Sequence, residues 1–466
     1  MKLKQWLAIG LVAAGGVERL AAQENSAESI EALKNQIHEL DQKLRILERN
    51  QELEKETAEE KSRNAAVVSA GPTGFSIRSA DTNFVLRLRG GLQADARYYD
   101  GGGEANDTFL IRRVRPIFEG TVFKNFDYRV MLDVSTGTSS SAANNGFLLD
   151  AYADAHAFPW LNVRAGKFKE PVGLERLQSW NNLLFLERGY PTQLVPNRDV
   201  GAMVHGDFWQ GGLQYQLGIF NGTADGGSGD FDTADGDKDV AARLFAHPFK
   251  AVEADWIRGL GVGISGTFGE HGEAPRGYVS PGAQRFFAYR TGTGAAPNVV
   301  ADGQVWRVSP QAYYYWGPFG LFGEYVISSQ ELAQSGGGLG AGEREEVQNL
   351  GWQVSASYFL TGEANSFKAV TPKRPVTLGS GGGWGAWELT ARVEGLDVDN
   401  EAFPIFADPA TSATAAFSWG VGVNWHLNRN VKLQFNYERT DFKGASANPV
   451  TSQDENVFLS RVQITF

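Results

Sequence analysis

The chain has 466 residues, no cysteine, 56 glycines, 29 phenylalanines and 12 tryptophans, and a net charge of −11. Lacking thiolates, it has no thiolate metal site, redox pair or lipid-anchored cysteine, and its acidic balance argues against nucleic acid as a partner. Mean hydropathy is −0.29, and past the amino terminus no run reaches the ~18 apolar residues of a spanning helix. Any membrane crossing therefore falls to strands, whose alternation escapes such a test.

Residues 1–22 read as a secretory signal: Lys2 and Lys4 precede the apolar run WLAIGLVAAGG, and Ala21 and Ala22 offer small side chains for cleavage. Residues 23–63 follow as a charged helix. Ile30, Leu33, Ile37, Leu40, Leu44 and Leu47 are spaced three and four apart, the a/d seam of a coiled coil, which weakens at Gln51 and Glu54. Such a stripe needs something to bury it. Self-association is expected, with the number of chains open, and packing on the rest of the chain is the alternative. Residues 64–83, with Gly71, Pro72 and Gly74, are predicted to be a linker.

From Phe84 the period changes to two. Between residues 109 and 122, Leu110, Val114, Phe118 and Val122 share one phase, while Arg113, Arg115, Glu119 and Thr121 share the other. Beyond the KNF turn the scheme resumes, with Tyr128, Val130, Leu132 and Val134 against Arg129, Met131 and Asp133. Sixteen segments alternate in this way: 84–99, 108–123, 127–135, 147–157, 161–168, 199–208, 212–221, 239–247, 259–269, 303–316, 318–329, 348–361, 384–397, 413–427, 430–442 and 454–466. No helix-period segment is available to cover their apolar faces, so lipid must cover them and water the charged faces. The expected fold is all-β, a 16-stranded antiparallel transmembrane β-barrel over residues 84–466, preceded by a short N-terminal coiled-coil helix.

The connections support this. KNF, the turn at Pro159, WQGG, WGPFG and LNRN are short, while 136–146, 169–198, 222–238, 270–302, 330–347 and 443–453 are long. Short turns on one side and long loops on the other, with both termini on the short side, are what a barrel of this kind has. Residues 362–383 break the rule, long on the short side. Aromatics such as Tyr98, Trp160, Trp316, Trp387 and Trp425 gather at segment ends, suiting the headgroup levels. The chain ends on Phe466, in the lipid phase.

By phase, Arg87, Arg89, Arg97, Arg113, Arg115, Arg129, Arg164, Arg243, Arg307, Arg392, Lys432 and Arg461 face the lumen. So do Asp95, Glu119, Asp133, Asp150, Asp154, Asp239, Glu324, Glu388, Glu394 and Glu438, so the charges nearly balance. Clustering is more telling. Arg87, Arg89, Arg97, Arg113 and Arg115 lie on two neighbouring strands, and a guanidinium offers a planar fork of donors suited to phosphate oxygens. With Arg129 and Arg164 they form the candidate anion pathway. Ion pairing within the wall is the plainer alternative for each. Two patterns are dismissed: Gly261, Gly263 and Gly266 spell GxGxxG inside a strand with no helix after it, and Asp230, Asp232, Asp235, Asp237 and Asp239 lack the spacing and closing glutamate of an EF-hand. The aspartates suit an outer loop bridged by divalent ions to lipopolysaccharide. No nucleophile motif or histidine pair appears, so neither an enzyme nor a cofactor is expected.

At RRVRPIFEGTVFKNFDYRV, LNVRAGKFKEPVGLERLQS, LVPNRDVGAMVHGDF, WGAWELTARVEGLDV and NWHLNRNVKLQFNYERTDF the chain resembles the phosphate-selective porin O and P family. The resemblance implies a trimeric outer-membrane channel of a Gram-negative bacterium that passes anions, with the third external loop, here 169–198, folded into the bore. Lys167, Lys169, Arg176, Arg188 and Arg198 are then candidates for its constriction, beside Glu170, Glu175 and Glu187. The family's arginine ladder carries over onto Arg112 and Arg113, although strict alternation points Arg112 outward unless it meets a subunit interface or a bulge. The expected function is passive diffusion of inorganic anions, with phosphate or polyphosphate as cargo. A non-selective porin is the alternative, as is an envelope tether whose helix reaches the cell wall from the periplasm.

Overall fold

The computed structural model describes residues 4–100, 106–135, 147–231, 236–292, 296–377, 379 and 381–466, without the side chains of 4–27 and 62–64. The side chains behind the signal expectation, the outer loop 136–146, and Asp232 and Asp235 lie outside the described residues.

Alternation becomes a ladder at β1 (Phe84–Tyr99), β2 (Thr108–Val122), β3 (Phe126–Leu132), β4 (Leu148–Phe158), β5 (Leu161–Lys169), β6 (Arg198–Phe208), β7 (Leu213–Phe220) and β8 (Asp239–Ala246). It continues through β9 (Leu260–His271), β10 (Val299–Trp316), β11 (Phe319–Gln334), β12 (Arg344–Phe359), β13 (Ala386–Asp397), β14 (Ala415–His426), β15 (Val431–Lys443) and β16 (Glu455–Thr465). Each strand pairs antiparallel with its sequence neighbours, and β16 pairs with β1 from Val457 opposite Tyr99 to Thr465 opposite Gly91. The sheet is a closed 16-stranded barrel, as the period-two pattern predicts.

Outward positions such as Leu92, Phe118, Ile264, Phe268, Val354, Val421, Phe435 and Phe458 are exposed apolar side chains, a face that suits lipid. At the short-turn end Trp387 stacks on Trp425 at 4.8 Å and Phe158 on Trp160 at 5.2 Å. The tight turns, loops of three residues after Val122 and four after Phe208, place Phe123 and Lys124, and Trp209 and Gln210, in the left-handed region. On the long-loop side the ladder outlasts the pattern. Glu331, Leu332 and Ala333 pair with Glu346, Glu345 and Arg344, within the predicted loop 330–347. Beyond lipid a strand needs no apolar outer face, so alternation fades before pairing does.

The predicted linker is a correction. Val67–Gly71 and Gly74–Arg78 form a hairpin, and its second strand pairs with β1 from Phe75 opposite Leu88 to Arg78 opposite Val85. The reason is an open edge: β16 reaches only Gly91, and the hairpin continues the ladder below it. The amino-terminal helix, Lys4–Asn64, forms a separate unit. Ile30, Leu33, Ile37, Leu40, Leu44 and Leu47 are each more than half exposed on it.

Candidate anion pathway

Strict alternation fails in β2. Gln93 pairs with Arg113, but the next residue, Ala94, pairs with Ile111, so Arg112 is the extra residue of a β-bulge. Arg112 and Arg113 therefore both reach inward, to Glu187, with Arg112 Nε 2.6 Å from its carboxylate. Above the bulge Phe109 and Ile111, not Leu110, face outward. The physical reason is available in the sequence: one of two consecutive arginines in a regular strand would face lipid at about 2–4 kcal/mol, and a bulge avoids that.

Residues 170–197 lie against the inner wall, tied mainly by their backbone. Glu324 accepts from the N–H groups of Leu174 and Glu175, and Glu394 from that of Tyr190. Asn436 accepts from Leu186 N, Arg461 donates to Leu186 O, and Asn424 to Leu184 O. Lys432 and Gln434 donate to Leu183 O. Wall glycines make room for the loop. A Cβ at Gly91 would stand 2.4 Å from Trp180, at Gly351 2.9 Å from Leu194, and at Gly420 3.0 Å from Phe185. All of these partners belong to β11–β16 or to β1, so the loop covers that side and leaves space towards β2–β7.

That space is a cavity of about 410 Å³. Arg112, Arg113, Arg115, Arg129 and Arg164 line it from the wall, Lys169, Arg176, Arg188 and Arg198 from the loop and its stems, and Arg276 from the fifth external loop. The acidic side chains among its lining are Asp150, Glu187 and Asp225. The wall arginines are paired: Arg115 with Asp133 at 2.8 Å, Arg129 with Glu119 at 2.8 Å and Asp150 at 3.1 Å, and Arg164 with Asp154. Arg198 pairs with Asp150 at 2.7 Å.

Three loop cations differ. Lys169 donates to the carbonyls of Arg176 and Gln178, Arg188 to those of Glu175 and Gln178, and Arg176 to that of Thr192. Among the described residues no carboxylate lies within ion-pair distance of them, and the buried Nε of Arg176 has no partner. Burial first, then the facing guanidinium groups of Arg188 and Arg198, pushes Arg176 down to about 9. Glu175 offsets part of this positive charge through space, without an ion pair.

Residues 86–466 match the sequence profile of the family described as phosphate-selective porin O and P. The chain belongs to that family. Porin O of Pseudomonas aeruginosa is 25% identical over 430 residues, covering 86% of this chain and 93% of the relative. Among solved structures, the outer-membrane channel DcaP of Acinetobacter baumannii superposes with a TM-score of 0.51 at 11% identity, over 84% of this chain and all of that one. An anion-selective porin from Comamonas acidovorans matches with a TM-score of 0.48 at 13% identity, over 82% of this chain and all of that one. As a porin, the chain is an outer-membrane channel protein.

The remaining residues singled out in the sequence lie elsewhere in the porin. Arg97 stands beside the cavity, 2.8 Å from Glu187. Arg89 pairs with Glu119 at 3.2 Å, and Arg87 lies opposite Glu119 near the short-turn end, so neither lines the cavity. Lys167 pairs with Asp230 of the fourth loop and does not line it either. Glu175 accepts from Gly189 N and Gln353 and so locks the loop to itself and to the wall. Glu170 is fully buried near Asp199 and Asp239, where burial and then those two carboxylates push its carboxyl well above the usual range. Phase missed Arg112, for which the arginine doublet was the signal, and Arg276, for which the sequence holds none. Gly261 and Gly263 sit in β9 under Phe245, where a Cβ would stand 2.7 Å or less from its ring.

The long connection on the short-turn side also gains a role. Asn365 donates to Ser357 at 2.7 Å, and the Phe367 ring stacks on Tyr313 at 5.4 Å. The Phe367 carbonyl accepts from Gln178 of the third loop at 3.2 Å. Part of 362–383 thus turns inward and meets that loop from below.

Proposed function

We propose that this porin passes anions by diffusion, with phosphate or polyphosphate as cargo, and that the cluster of Lys169, Arg176 and Arg188 is where the anion is held. The observation that carries this reading is the cavity's surplus of cations, ten basic side chains (Arg112, Arg113, Arg115, Arg129, Arg164, Lys169, Arg176, Arg188, Arg198 and Arg276) against three acidic ones, with three of the cations lacking a carboxylate at ion-pair distance among the described residues. A charged oxygen cargo can supply what those groups lack, and weak successive contacts with the wall arginines let it leave. A non-selective porin, suggested by the near-balanced wall charges, would not need cations without an ion-pair partner on the loop that enters its bore. In planar bilayers a salt gradient should give a reversal potential of anion sign, and millimolar phosphate should reduce chloride current. A cation-sign potential would sink the reading.

The assembly is proposed to be a homotrimer. The exposed seam of the amino-terminal helix would join the copies. Phe84 lies opposite Val122 at the short-turn end, so the chain enters the barrel from the side proposed as periplasmic. Deleting residues 23–63 is expected to lower the temperature at which the oligomer dissociates on a detergent gel while leaving single-channel conductance unchanged. If the helix instead tethers the envelope to the cell wall, oligomer stability stays the same and the envelope loosens. Contacts of the outer loops with lipopolysaccharide are part of the same proposal.

A further inference from the structure

Glu187 stands on the third loop where β1, β2 and β16 bring four guanidinium groups together. Its carboxylate accepts from Arg112 Nε at 2.6 Å and Nη2 at 2.9 Å and from Arg97 at 2.8 Å, with Arg113 and Arg461 each at 3.7 Å. This is the donor arrangement of an oxyanion site, yet the anion in it belongs to the chain. Burial would push the Glu187 carboxyl up; Arg112, Arg113 and Arg97 outweigh it and hold it well below the usual range, so it is charged at neutral pH.

The backbone around Glu187 is held without its side chain. Leu186 N donates to Asn436, Leu186 O accepts from Arg461 at 2.7 Å, and Glu187 O accepts from Arg392 at 3.0 Å. The loop can therefore stay docked while the carboxylate rotates about its own torsions. Given the anion-channel reading above, we propose that Glu187 is a tethered counter-anion, filling the Arg97–Arg112–Arg113 cage between passages and turning aside when a multivalent oxyanion enters. Without Glu187 the cage would keep Asp95 as its remaining counter-charge, 3.8 Å from Arg97 and bonded to Arg461, and would hold such a cargo longer and conduct less well. A carboxylate that must be displaced, and that then competes for return, shortens the stay. Glu187 would thus tune specificity for charge without touching the cluster of Lys169, Arg176 and Arg188.

The test uses the full chain in planar bilayers, with chloride current titrated by inorganic phosphate. Glu187→Gln keeps the size of the side chain and removes the competitor. The half-blocking phosphate concentration is expected to fall roughly tenfold, with stronger anion preference in a salt gradient. Glu187→Asp draws the charge back by one methylene and should shift the titration the same way by about threefold; it carries the test if Glu187→Gln does not assemble. Were Glu187 only a strap for the loop, both variants would raise chloride conductance and weaken the phosphate block, and that result overturns the assignment. An unshifted titration overturns it as well. Cation preference of the unsubstituted protein overturns the anion-channel reading and this assignment with it, whereas anion preference with unshifted variants overturns this one alone.

Discussion

Neutralising the three loop cations together, as Lys169→Gln, Arg176→Gln and Arg188→Gln, should greatly weaken the phosphate block of chloride current and move the reversal potential towards zero. Hydrogen bonds to charged groups contribute roughly 1.5–3 kcal/mol each when buried. Even after a generous discount for water in the channel, losing three donors of this kind should cost an anion about 3 kcal/mol, or roughly a hundredfold in half-blocking phosphate concentration. The wall arginines are expected to behave differently. Arg115, Arg129 and Arg164 already have carboxylate partners, so their removal frees an acid for every base lost. A triple variant that still binds phosphate as tightly as the parent would remove the loop cluster from the pathway.

The second large effect is mechanical. Gly351→Leu should lift the third loop from the wall without opening the barrel. The nearest atoms to a Cβ at this position are Leu194 Cδ1 at 2.9 Å and Pro191 Cα at 3.3 Å, both in the loop, with no atom of the wall among the three nearest. Overpacking of this sort costs about 1–3 kcal/mol, enough to change the ratio of docked to undocked loop by roughly tenfold. Chloride conductance should rise and phosphate block weaken together, while circular dichroism and the heat-modifiable gel band of the folded barrel stay as in the parent. If conductance and block are both unaltered, the loop does not set the narrow part of the bore.

Much of the barrel was legible because lipid and water impose a strict period of two, and sixteen segments with turns of opposite length are hard to produce by any other fold. The pattern gives way where that pressure ends. At Arg112 one inserted residue reverses the phase of Phe109 to Ile111. At residues 331–333 pairing continues outside lipid, with no alternation to mark it. The 67–78 hairpin is hidden in the sequence because VVSAG and GFSIR are too short to stand out from a glycine-rich connection. Phase also names inward side chains without telling which find a partner. Arg115 and Arg188 look alike in the sequence, yet one pairs with Asp133 and the other hydrogen-bonds to backbone carbonyls. The burial of the third loop likewise depends on Gly91, Gly351 and Gly420, far apart in the chain, whose joint meaning appears only when the wall is assembled.

The seam between the first and last strands carries a consequence for biogenesis. Arg461 of β16 grips Asp95 of β1 with two hydrogen bonds, at 2.6 and 2.7 Å, and with its remaining arm holds the Leu186 carbonyl. Most other anchors of the loop sit on strands made later than the loop itself. If the third loop is the filter proposed above, an unfinished barrel has no narrow waist, and the polypeptide must complete its perimeter before it can discriminate among solutes. On that reading filter and wall mature in one step, which spares the membrane a half-built pore that already selects but still leaks at its edge.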